Sequence, residues 1–202
     1  PAERQAWGEL VRRYQDRVFG VCLRMLGDRD AAADLTQDTF VKFIQGVDTF
    51  DERAKLSTWL VRVAMNACLS HLRGQKLRKH ASLDAAIPPS LLRGGVVRSG
   101  DIRAPSEGEA FRLAEQTAPQ RVEHLERQRL VAAALAHLEP EQRAILILRD
   151  VQGLEYDQIA AVLETAGGTV KSRLFRARVA LREALERLEA GKSPAQRPPE
   201  SR

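Results

Sequence analysis

The sequence predicts an all-α protein: two small helical domains joined by a flexible linker, the second a helix-turn-helix domain. Three observations predict it. Apolar residues recur at three- and four-residue steps in both halves, and no segment alternates apolar and polar side chains as a half-buried strand would. Proline is absent from residues 3–80, gathers in 81–120 (Pro88, Pro89, Pro105, Pro119), and falls to Pro140 alone in 121–190. Aromatic residues make up 5% of the chain, too few for a large aromatic-rich β core.

The first helix carries Trp7, Leu10, Val11, Tyr14, Val18, Val21, Cys22 and Met25 on one side. Gly27 stops it, and Asp28 is placed to cap the next helix, Asp30–Val47. A third helix is expected from Ser57, as N-cap, to about His80, which closes a first domain over residues 1–80. Residues 81–120 hold four prolines, scattered glycines, five acids and four bases with few large apolar groups. Such a segment cannot bury enough surface to fold alone and reads as a linker. The second domain, 121–190, begins with a helix over Arg121–Leu138. Pro140 suits the first turn of the next, which Gly153 ends. A short helix over Glu155–Leu163 follows, then a turn at Ala166-Gly167-Gly168, then a last helix from Thr169, as cap, to Ala190. The proline-rich residues 191–202 read as a disordered tail.

Lys and Arg total 32 against 27 for Asp and Glu in 202 residues, a net charge of +5. A basic surplus suits a polyanionic partner. No stretch is apolar enough to cross a bilayer, so no membrane insertion is expected. No charged-then-apolar leader opens at Pro1, which predicts a cytoplasmic protein. Cys22 and Cys68 lie on apolar faces and read as packed thiols. His71, His80, His124 and His137 have no metal-ligand spacing with them. Gly167-Gly168 lacks the phosphate-loop lysine, and Asp34 with Asp38 has no nucleophile or pocket to serve. The residues therefore point to no enzyme, no metal and no cofactor.

Three helices carry candidate contacts. In the last, Val170, Leu174, Ala177, Leu181, Ala184, Leu185 and Leu188 share one face. Lys171, Ser172, Phe175, Arg178 and Arg182 fall on the opposite one, with Arg176 on its flank. Five bases (these four and Arg173) and no acid lie between Thr169 and Arg182. A solvated amphipathic helix has the same pattern, but Phe175 inside the positive strip and the turn before it favour DNA. Thr169, Lys171, Ser172, Arg173, Phe175, Arg176 and Arg178 are the candidates. Arg and Lys reach guanine edges or phosphates, and Phe a thymine methyl.

In the third helix Arg62, Asn66, Ser70 and Arg73 gather opposite Val61, Ala64, Met65, Cys68 and Leu72, with Trp59 at the edge of the polar side. An Asn between two Arg can read a base edge while the Arg hold phosphates; without context, ordinary solvation is the preferred reading. The second helix has the opposite sign. Asp30, Asp34 and Asp38 line a face with Gln37 and Val41, while Phe40, Phe43, Ile44 and Val47 point toward another. Solubility and the docking of a basic partner stand level as readings of it.

The segments DLTQDTFVKFIQGVDTFD (34–51), STWLVRVAMNACLSHLR (57–73), LEPEQRAILILRDVQGLEYDQIAAVL (138–163) and GTVKSRLFRARVALREAL (168–185) together resemble the extracytoplasmic-function group of bacterial sigma factors. The resemblance covers both helical domains in order. It implies an alternative sigma factor that binds core RNA polymerase, directs it to promoter DNA and assists melting. Asp34, Leu35, Gln37, Asp38 and Phe40, with Val41 at the centre, would then dock on the clamp coiled coil of the polymerase. Asn66, with the loop before Ser57, would handle a base flipped from the minus-ten element. Lys171, Ser172, Phe175 and Arg176 would read the minus-thirty-five element. An anti-sigma factor is the further partner implied. The rival is a stand-alone helix-turn-helix regulator, which has no use for the acidic helix or the Asn66 helix.

Overall fold

The computed structural model describes residues 2–47, 55–84 and 118–191, with seven α-helices and no strand among them. Most of the expected linker, the tail beyond Gly191 and the loop residues 48–54 before Ser57 lie outside the described residues. The helices are α1 (Ala2–Leu26), α2 (Arg29–Gly46), α3 (Leu56–Asp84), α4 (Ala118–Ala136), α5 (Pro140–Leu146), α6 (Tyr156–Val162) and α7 (Gly167–Gly191).

Helices α1, α2 and α3 pack against one another. Val18, Val21, Cys22 and Met25 of α1 are fully buried, as their spacing predicts. Gly27 ends α1 at φ +69°, a conformation costly for a residue with a Cβ. The Asp28 carboxylate then accepts from the Ala31 N–H at 2.8 Å and caps α2. Thr36 and Thr39 face the core of this bundle. Their hydroxyls donate to the carbonyls of Ala32 (2.6 Å) and Leu35 (2.7 Å), so no polar group is stranded. An edge-to-face aromatic chain, Trp7–Phe43 at 5.4 Å and Phe43–Trp59 at 5.3 Å, ties the three helices together.

In the second half α7 packs on α4, α5 and α6. Helix α4 starts earlier than Arg121, at Ala118. Pro119 falls in its first turn, where no N–H partner is needed. Helix α5 does not run evenly to Gly153. It widens into a π turn, Ile147–Val151, before Gly153 ends it at φ +69°. Glu155 occupies the N-cap of α6, and the Gln158 side chain accepts from its N–H at 3.0 Å.

Two expected caps are not caps. The Lys55 carbonyl accepts from Thr58 and Trp59, so Ser57 sits inside the first turn of α3. That helix also continues past His80 to Asp84, since no proline or glycine follows Gly74 until Pro88. Helix α7 begins at Gly167, and the Ala166 carbonyl accepts from Thr169 at 2.9 Å. Neither Gly167 nor Gly168 has positive φ; the left-handed residue of the turn is Glu164 at φ 49°.

The two halves are not merely tethered. One apolar core runs through both, with α1 against α4, α5 and the π turn, and α3 against α5 and α6.

Candidate nucleic-acid and polymerase interfaces

Helix α7 is held by Val170, Leu174, Ala177 and Ala184, all buried. That anchoring turns Lys171, Ser172, Arg173, Phe175 and Arg176 outward, and Phe175 is 70% exposed. Leaving a phenyl ring in water among cations forgoes about 1.5–3 kcal/mol of burial. The Ser172 hydroxyl donates to the Thr169 carbonyl at 3.0 Å, and Arg176 Nε reaches the Ser172 carbonyl at 3.4 Å. Thr169 is half-buried, so it faces the strip only from the first turn. Arg178 differs from its neighbours. Its guanidinium donates to both carboxylate oxygens of Asp150, at 2.5 and 3.3 Å, which raises its pKa above the usual value. It braces α7 on the π turn.

The π turn holds three such ties in sequence. Arg149 donates to the Leu154 carbonyl at 2.7 Å and to Glu155 at 3.2 Å, and lies 5.2 Å over the Tyr156 ring. Asp150 holds Arg178, and Gln152 accepts from Arg17 Nε at 2.7 Å. A π turn carries one more residue per turn than an α-helix and so fans consecutive side chains outward. No sequence signal marked Asp150 or Gln152.

On α3, Arg62, Ser70 and Arg73 are exposed and Asn66 is half-buried on the same side, with Arg73 Nη2 3.4 Å from the Ser70 hydroxyl. Trp59 is not at the edge of this strip; it is turned to Phe43. On α2, Asp34, Gln37, Asp38 and Val41 share an exposed face. Phe40 is buried and Leu35 half-buried against the core. Both pack on the core and hold α2 in place. Ile44, grouped by sequence with the inward Phe43, is 48% exposed beside Val41. The three-residue step from Val41 was the signal for it.

No group of three His, Cys, Asp or Glu that could hold a metal occurs among the described residues. His71, His124 and His137 each have a partner one turn away on their own helix. Cys22 and Cys68 are buried thiols, and the hydrogen bond with the neighbouring Cys22, together with burial, raises the Cys68 pKa far above its usual value. No helix among the described residues is long and apolar enough to cross a membrane.

This arrangement agrees with comparisons to known proteins. The family profile Sigma-70 region 2 matches residues 10–78, and Sigma-70, region 4 matches residues 128–181. The RNA polymerase sigma-H factor of Pseudomonas aeruginosa is 31% identical over 187 residues, covering 92% of this chain and 89% of that protein. The ECF RNA polymerase sigma-E factor of Escherichia coli K12 is 30% identical over 179 residues, covering 89% and 86%. The fold is similar to that of the sigma factor RpoE bound to the anti-sigma factor NepR from Bartonella quintana. That match has a TM-score of 0.64 and 24% identity over 90% of this chain and 98% of that one. CnrH, solved in complex with the cytosolic domain of CnrY, gives a TM-score of 0.54 and 23% identity over 91% and 90%.

The chain belongs to the extracytoplasmic-function group of the sigma-70 family. It is an alternative sigma factor, a transcription initiation factor and not an enzyme, which directs RNA polymerase to promoters.

Proposed function

We propose a division of labour among three helices. The α2 face of Asp34, Gln37, Asp38 and Val41, extended by Ile44, docks on core polymerase. The α3 face of Arg62, Asn66, Ser70 and Arg73 holds the melted minus-ten strand. The α7 residues Lys171, Ser172, Arg173, Phe175 and Arg176 read the minus-thirty-five element in the major groove. Residues 1–80 and 121–190 are the corresponding domains, joined by 81–120. The observation that carries the reading is the exposure of Phe175 within an unbroken run of cationic and polar groups. A ring held in water there suits contact with a thymine methyl while its neighbours take phosphates and guanine edges.

Transcription with sigma-free core polymerase and a cognate promoter tests the reading. Start-site-specific transcript is expected only when the protein is added. Asn66→Ala is expected to slow strand opening, read as permanganate reactivity of the minus-ten thymines, more than it weakens initial duplex binding. Equal effects on both would remove Asn66 from its role. One similar structure holds an anti-sigma factor and another the cytosolic domain of a partner protein, which supports an anti-sigma partner for this chain too, and the cytoplasm as its place of action.

A further inference from the structure

We propose that Leu77 of α3 is a sequence-reading side chain. It sits against the methyl group of a thymine in the paired DNA just upstream of the minus-ten element, outside both elements assigned above. The proposal deepens the reading of α3 as the minus-ten helix and rests on it.

Leu77 is 71% exposed, the most exposed large apolar side chain among the described residues. With about 100° of turn per residue, it falls with Arg62, Asn66, Ser70 and Arg73 in a sector roughly 80° wide. Lys76 is exposed on the flank of that sector. The sequence holds no acid from Leu56 to Leu83, so the face is positive along its length. A lone exposed leucine is ordinary on a protein surface. This one stands in the middle of a cationic face. The core side of α3, with Val61, Met65 and Cys68, is fully buried on the opposite side, so Leu77 cannot turn inward. A DNA groove offers such a side chain one apolar group, the thymine C5-methyl in the major groove, while the phosphates on either side suit Arg73 and Lys76.

Helix geometry sets the position that is read. Helix α3 does not stop at Arg73, the last base assigned to the minus-ten strand. It continues as regular α-helix to Asp84 and so holds Leu77 at a fixed distance from Asn66. At 1.5 Å per residue that distance is about 16 Å along the axis, or about five base-pair steps. The chain leaves the end of α3 for the half that reads the minus-thirty-five element, so the C-terminal turns of α3 face upstream. The strand held at Asn66 is melted, whereas the DNA beyond its upstream edge is paired. One helix therefore carries two tasks in series. Asn66 handles an opened base, and Leu77 reads a closed pair.

Binding of promoter fragments by the full chain assembled with sigma-free core polymerase tests the proposal. A thymine is placed in turn at each base pair just upstream of the minus-ten element, on either strand, and then replaced by uracil, which removes the methyl group alone. Uracil is expected to weaken binding roughly fourfold at one position or two adjacent ones, the worth of one buried methyl group, and to leave the others unchanged. Leu77→Ala is expected to weaken binding of the thymine fragment by at least that factor and to abolish discrimination between thymine and uracil, since both changes remove one contact. Alanine keeps the helix, so circular dichroism and affinity for core polymerase without DNA are expected to match wild type. Tolerance of uracil at every position, or an undiminished uracil effect in Leu77→Ala, would overturn the proposal. So would a loss of core affinity in Leu77→Ala, which would place the side chain against the polymerase. Permanganate reactivity of the minus-ten thymines with Asn66→Ala reports separately on the underlying reading. Slowed opening without any uracil effect strikes Leu77 alone, and unslowed opening strikes the role of α3.

Discussion

Phe175 stands 70% exposed on a helix whose other face is fully used in packing. Its ring contributes little to the fold, so its cost in water has to be recovered on binding. Phe175→Ala is expected to leave thermal stability within about 0.5 kcal/mol. It should weaken binding to the upstream element by about 1–3 kcal/mol, the range for one good base contact. Melting curves and duplex titrations on the same variant separate the two effects. A stability loss above that range would mean that the ring packs on the protein. The contrast with Phe40 is instructive. Both are aromatic residues in helices with charged neighbours, yet Phe40 is 7% exposed and acts by holding α2 on the core. Helical position, and not residue type, separates an anchor from a probe.

At the scale of elements, the amphipathic spacing was enough to read α1, α2, α4 and α7, because each has one wide apolar face, and α1 and α2 also meet at a clear stop and cap. Gly27 and Asp28 do in the structure what their types predict. Two features were not legible. Glu164 adopts φ 49° where glycine was expected three or four residues on. The π turn has no sequence signature, and it aims Arg149, Asp150 and Gln152 at three different elements. Of these, the Asp150–Arg178 pair ties the π turn to α7. Both side chains are about half exposed, so the pair contributes about 1 kcal/mol or less to stability. On the proposed reading of α7, the pair also withholds one cation from phosphates. Asp150→Ala is expected to free Arg178 for a phosphate and steepen the salt dependence of duplex binding by about 0.9 in log–log slope, one added phosphate contact. The preference for the cognate element over random DNA should fall at the same time. Titrations on both duplexes across a salt series measure both. An unchanged slope would show that Arg178 lies outside the reach of the backbone.

For the whole molecule, sign of charge and independence of packing decide which tasks can be separated. The chain carries a net charge of +5, yet α2 presents Asp34 and Asp38 with Val41 and Ile44, while α7 presents bases and no acid on its exposed strip up to Arg182. The sequence revealed these two surfaces through periodicity. It could not reveal that the halves share a core, since Arg143, which donates to the Met25 carbonyl, is remote from it in sequence and a lone Arg in an apolar run names no partner. Helix α2 packs on α1 and α3, away from the helix-turn-helix. Charge reversal on its outer face should therefore be silent for duplex binding. Asp38→Arg is expected to weaken core polymerase binding by about tenfold, about 1.4 kcal/mol, mainly through slower association. Affinity for an isolated minus-thirty-five duplex should stay within about twofold, as distant sites act additively. Fluorescence polarisation with each partner in turn gives both numbers. Loss of both affinities together would mean that α2 communicates with α7 through the shared core, and the docking role would have to move to another face.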